Sequence, residues 1–85
     1  MPYILKNKRI PMDKIVKLMG ELNVKVDGDL NYILFKFCKN YIKPSYNNFK
    51  NFCGELRQCA TEIERRMIAS YEDSKIANPE NGDVE

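Results

Sequence analysis

Ser45–Tyr71, SYNNFKNFCGELRQCATEIERRMIASY, is the longest apolar period in the chain, and its reading decides the fold. Phe49, Phe52, Cys53, Leu56, Ala60, Ile63, Met67 and Tyr71 recur at steps of three and four, which places them on one face of an α-helix of about seven turns. Such a face has to be buried against something. Pro44 and Ser45 punctuate its start, with the Ser45 hydroxyl placed to accept a backbone N–H of the first turn. Gly54 interrupts the pattern at a cost of about 1 kcal/mol against Ala, which reads as a notch for close packing.

Two shorter helical periods lie upstream. Pro11 suits the first turn of a helix that Ile15, Val16, Leu18, Met19 and Leu22 continue, ending near Asn23 where β-branched residues mix with turn formers. Asp29 is the expected N-cap of the next helix, which runs from Leu30 to about Lys43 and stops before Pro44. Leu30, Leu34, Phe37, Cys38 and Tyr41 form its stripe, flanked by Ile33, Phe35 and Ile42. That arc is wider than one neighbouring helix covers, and Ile68 lies off the stripe of the long helix, so a partner copy is the simplest cover. The expected architecture is all-α: a small three-helix domain over residues 1–76, with helices near 11–23, 30–43 and 46–72. The N-terminal PYIL group is expected to lie extended or pair as a strand, and residues 77–85 form an acidic tail with turn signals at Asn78-Pro79 and Asn81-Gly82.

Composition limits the function classes. A chain of 85 residues buries only about 60% of its surface as one domain, which favours self-association. The net charge of +2 divides unevenly, with +4 on residues 1–20 and −4 on residues 72–85, so a basic head and an acidic tail attract each other within or between chains. No signal-peptide core and no apolar run of transmembrane length is present, and a soluble, cytoplasmic protein is expected. Cys38, Cys53 and Cys59 are odd in number, lack CxxC spacing and read as reduced thiols, buried or half-buried in helices.

No catalytic pattern stands out. Histidine is absent, three scattered cysteines make no zinc site, and phosphate-loop, dinucleotide and nucleophile-elbow motifs are missing. Neither enzymatic activity nor a cofactor or metal is expected. Tyr32, Lys36, Lys39 and Lys43 form a basic line on the second helix, which is either a solvated lysine face or a phosphate-facing surface with a ring for base stacking. Glu62 with Arg65 or Arg66 reads first as a helix-surface pair. The small net charge and acidic tail argue against stable duplex DNA binding.

Gly28–Phe37 (GDLNYILFKF) and Glu64–Val84 (ERRMIASYEDSKIANPENGDV) carry a resemblance over nearly the whole chain. The sequence resembles a family of small, mostly phage-encoded proteins of formerly unassigned function, which open with PYI, carry G-[DE]-LNY before the second helix and end in RR-x-x-x-PYED-x-K-x-x-x-NGDV. The matching residues are Pro2-Tyr3-Ile4, Gly28-Asp29-Leu30-Asn31-Tyr32, Arg65-Arg66, Tyr71-Glu72-Asp73, Lys75 and Asn81-Gly82-Asp83-Val84. Ser70 replaces the family's proline and Pro79 is added in the tail, two departures that bear on the bend after the long helix. The resemblance implies an anti-CBASS sponge, which sequesters cyclic oligonucleotide messengers in the cytoplasm of the infected host cell without cleaving them.

A sponge of this kind needs cations for phosphates, flat rings for bases and an enclosure that a tiny monomer hardly forms, which fits a homo-oligomer. The motif rings and cations, Tyr3, Tyr32, Lys36, Arg65, Arg66, Tyr71 and Lys75, are the expected ligand-binding residues. Tyr71 can equally belong to the apolar stripe. The alternatives are a protein-interaction module that inhibits a host protein through Phe35, Ile42 and Ile68, and a nucleic-acid-binding module that uses the lysine face.

Overall fold

The computed structural model describes residues 4–80 and Gly82, and among them every regular element is helical. Helix α1 spans Lys6–Glu21, α2 spans Gly28–Tyr41 and α3 spans Tyr46–Ile63; α3 runs through a π-helical turn, Glu64–Ile68, into α4, Ala69–Ala77. The chain divides into two compact units, Tyr3–Phe52 and the residues from Cys53 onward, so the boundary falls inside α3. No described helix is long and apolar enough to cross a membrane.

Local chemistry explains each boundary. Helix α1 begins a turn earlier than the proline suggests: the Leu5 carbonyl accepts from the Lys8 and Arg9 N–H groups, at 3.0 and 3.2 Å, and the Arg9 Nε donates to the Ile4 carbonyl at 3.1 Å. Of the PYIL group expected to lie extended, Ile4 and Leu5 precede the helix and Leu5 is extended at φ −62°, ψ 146°, while Pro2 and Tyr3 lie outside the described residues. Pro11 lies inside the helix rather than in its first turn, which leaves the Asn7 carbonyl without its intrahelical donor. Asn23 closes α1 with φ 57°: its N–H bonds the Gly20 carbonyl at 3.0 Å and the Val24 N–H bonds the Met19 carbonyl at 3.1 Å. This left-handed closure captures two carbonyls that would otherwise face water alone.

The cap of α2 is Asp27 rather than Asp29, and the two aspartates divide the work. The Asp27 carboxylate accepts from the Asp29 N–H at 3.0 Å, while the Asp29 carboxylate accepts from the Lys25 N–H at 3.2 Å. Asp29 also sits in the first turn, where negative charge suits the helix dipole. Ile42 leaves the helix in an extended conformation two residues ahead of Pro44. Ser45 caps α3 as its position suggests, its Oγ accepting from the Asn48 N–H at 3.0 Å. Beyond α4 the Asn78 side chain accepts from the Glu80 N–H at 2.9 Å, and its backbone carbonyl from the Gly82 N–H at 3.0 Å, with Gly82 at φ 66°. The tail turn is thus formed as Asn-Pro and Asn-Gly chemistry dictates.

Side-chain burial is shallow everywhere: no described residue is buried. Along α2 the half-buried positions are Leu30, Ile33, Leu34 and Cys38, with Ile42 just past its end, whereas Phe35, Phe37 and Tyr41 are exposed. Phe37 stacks on Tyr41 at 5.8 Å and on Phe52 of α3 at 6.2 Å, the ring contacts that tie α2 to the start of α3. Two of the thiols expected to be covered, Cys53 and Cys59, are exposed, and only Cys38 is half-buried. Gly54 is likewise not a packing notch within the chain, since a Cβ there meets nothing within 4 Å.

Two substitutions check these assignments by thermal or denaturant unfolding. Asn23→Ile should destabilise by about 1–2 kcal/mol, because a β-branched residue pays the full left-handed penalty, and Asn23→Gly should not. Gly54→Ala should stabilise by about 1 kcal/mol by removing glycine's helix cost where space is open.

Candidate ligand-binding surface

Three tyrosines carry a lysine over the ring one helical turn later. Lys36 Nζ lies 5.5 Å from the Tyr32 ring centre, Lys50 Nζ 5.9 Å from that of Tyr46, and Lys75 Nζ 5.4 Å from that of Tyr71. Each pair comes from the same pattern, Y-x-x-x-K, because residues four apart on a helix are neighbours. Each cation–π contact contributes about 0.5–1 kcal/mol at an exposed site. Lys36 Nζ additionally donates to the Tyr32 hydroxyl at 3.1 Å. All three rings are exposed, so each offers a flat apolar surface beside a cation with three hydrogen-bond donors.

The Tyr32 and Tyr46 pairs belong to the unit Tyr3–Phe52, and the Tyr71 pair to the unit that begins at Cys53. Tyr46–Lys50 is absent from the sequence-based site, although the repeated spacing marks it as plainly as the other two. Lys43, expected on the same basic line as Lys36 and Lys39, falls beyond the end of α2. Tyr3 lies outside the described residues.

Arg65 and Arg66 occupy the π-helical turn, and Glu62 gathers both. Arg65 Nη2 donates to Glu62 Oε1 at 2.7 Å, and Arg66 Nη1 reaches the same oxygen at 3.5 Å. The Glu62 side chain is only 16% exposed whereas both guanidinium groups remain largely open to solvent. The hydrogen bond from Arg65 holds the Glu62 carboxyl below its ordinary value of 4.5; partial burial opposes this, and the positive charge of Arg65 adds to it. Chemically, two planar forks sit on adjacent residues, steadied by one carboxylate, in a form suited to bidentate oxyanion recognition.

The π-turn also settles the place of Tyr71. A π-turn takes one more residue than an α-turn, so Ile68 follows Ile63 where an unbroken helix would present Met67. Exposures agree: Ile68 is 46% exposed against 66% for Met67, and Tyr71 is 62% exposed at the edge of the stripe. Ile68 therefore belongs to the apolar side from which the α-period excluded it, and Tyr71 does not form core within this chain. Among the described residues no group of three or more His, Cys, Asp or Glu side chains is placed to hold a metal ion.

Residues 1–84 match the family model described as a domain of unknown function, DUF6899. The chain belongs to that family. The match runs from the PYI segment through the NGDV segment, so the Tyr–Lys pairs and the arginine turn all fall within the family domain. No curated protein and no solved structure matches the chain.

The Glu62 link is directly testable. Its folded value is depressed, so the stabilisation it contributes is fully present above about pH 4.5 and is lost as pH falls through the lower, folded value. Arg65→Gln should move the Glu62 carboxyl back up toward 4.5, followed by the side-chain carboxyl resonance in an NMR titration. An unchanged titration would mean that Arg65 is not its principal partner.

Proposed function

We propose that the protein is a phage anti-defence sponge, a homo-oligomer that binds cyclic oligonucleotide immune messengers in the infected host cell and releases them chemically unchanged. The observation that carries the reading is the threefold Tyr–Lys pair, with each exposed ring next to its own ammonium. A nucleotide offers a base plane next to a phosphate, and stacking on a tyrosine with charge-assisted bonding from lysine meets both. Arg65 and Arg66 supply guanidinium forks for further phosphate oxygens, in exchange for part of their hold on Glu62. Support also comes from the resemblance of the GDLNY, RR, YED and NGDV segments to small phage proteins. Cyclic messengers are compact polyanions that repeat one base-phosphate element, which suits a chain that repeats one ring-cation element along its helices.

Sequestration requires no bond to break, and the residues assigned here only bind. Tyr32, Tyr46 and Tyr71 cover bases; Lys36, Lys50, Lys75, Arg65 and Arg66 neutralise phosphates.

A thermal-shift series with cyclic di- and trinucleotides tests the reading, since ligand at 100 times its dissociation constant stabilises by about 2.7 kcal/mol. Ligand recovered intact after heat denaturation is the expected result, and linearised ligand would reveal a phosphodiesterase instead. Arg65→Ala or Arg66→Ala should weaken binding by about 1.5–3 kcal/mol, the range for hydrogen bonds to charged groups. Tyr32→Ala, Tyr46→Ala or Tyr71→Ala should cost about 1–3 kcal/mol where the ring stacks on a base. If no cyclic nucleotide binds at high micromolar protein, inhibition of a host protein replaces this reading.

A further inference from the structure

The unit Tyr3–Phe52 contains two amphipathic helices that do not cover each other. On α1, Ile15 and Leu18 share one face with Leu22 at its C-cap, and all are exposed; on α2, Phe35 and Tyr41 are exposed, and between the helices Val26 is 95% exposed. The corner where α1 meets α2 is an open apolar hollow of about 290 Å³, walled chiefly by Met19, Val24, Val26 and Leu30. Helix α1 lacks the means to stand alone: it has no side-chain N-cap, no acidic residue in its first turn, no basic residue in its last, and a proline within it. A helix of 16 residues in that condition is marginal in water, so its apolar face must be covered for it to persist.

The exposed apolar side chains state how much cover is wanting: Ile10, Ile15, Val16 and Leu18 of α1 and Phe35 and Phe37 of α2 each expose half or more of their surface. Charge distribution favours a second copy as the cover. Helix α1 carries Lys6, Lys8, Arg9, Lys14 and Lys17 against Asp13 and Glu21, a net +3, whereas the α4 segment and the turn after it carry Glu72, Asp73 and Glu80 against Lys75, a net −2. Each chain thus presents both the basic and the acidic partner that another copy requires.

We propose that the apolar faces of α1 and α2 form an interface with a second copy of this chain, and that folding of the unit Tyr3–Phe52 is coupled to that association. The α1–α2 corner hollow receives an apolar side chain of the partner, and helix content and assembly rise and fall together. The inference rests on the self-association in the proposed function and not on its ligand. Ligand-free protein tests it, so its failure leaves the nucleotide titration to be judged separately.

The experiment is sedimentation equilibrium of the full chain, combined with circular dichroism melts over about a hundredfold range of protein concentration. The expected result is a particle of at least twice 10.0 kDa, with a melting temperature that climbs with concentration and helicity that falls on dilution. Ile15→Glu should weaken association at least tenfold and lower helicity at a fixed concentration, whereas Glu21→Gln, at the exposed Lys17 ion pair, should change neither. A fully helical 10.0 kDa particle with a concentration-independent melt would overturn the proposal, because the chain would then fold without a partner. A monomer that stays poorly helical at every concentration would overturn it equally, since a different protein would be the occupant.

Discussion

The apolar surface that α1 and α2 leave in water is the constraint on which the rest depends. A helix retains its geometry in a protein mainly because one face is removed from solvent, and hydrogen bonds along the axis do not replace that term. In this chain the caps are well made: Asn23, Asp27 and Ser45 each satisfy backbone groups at a helix end. Caps fix where helices begin and stop. They do not hold two helices together, and the Phe37–Phe52 and Phe37–Tyr41 ring contacts are small against the apolar area still exposed.

The same openness gives the candidate ligand surface its character. A tyrosine in a monomeric core would spend its ring on packing and its hydroxyl on a fixed partner. Here Tyr32, Tyr46 and Tyr71 stay exposed, and each ring has the ammonium of a lysine one turn onward over it. The arginines differ from the lysines in being held: Glu62, with most of its side chain covered, fixes their approach, while a lysine over a ring stays mobile about a flexible stem. For the ligand we propose, fixed forks and flexible point charges would be complementary means of meeting phosphates set by a covalent ring.

Much of this was legible in the residues. Three helices, their order, the Ser45 cap, the stop near Asn23 and the all-α class follow from apolar spacing and turn chemistry, which act within a few residues of chain. The Tyr32–Lys36 and Tyr71–Lys75 pairs follow from i, i+4 spacing as well, and Tyr46–Lys50 was equally readable from it. Departures arose where neighbouring signals compete. Pro11 marks a first turn in isolation, yet the Leu5 carbonyl and the Arg9 side chain nucleate α1 upstream of it. Asp27 and Asp29 are both suitable caps, and the Asp27 carboxylate, which accepts from the Asp29 N–H at 3.0 Å, settles the choice.

The sequence by itself determined which segments are helical, where their charges lie and which rings have a cation one turn away, because those properties need only local spacing. Tertiary structure decided phase and cover. The π-helical turn at Glu64–Ile68 adds a residue that no α-period anticipates, bringing Ile68 into the apolar stripe and leaving Tyr71 at its edge. Whether Cys53, Cys59 and Gly54 meet a neighbour depends on what packs against α3, and no composition or period of α3 itself contains that information. Burial is a property of two surfaces, and a single chain's sequence displays only one of them.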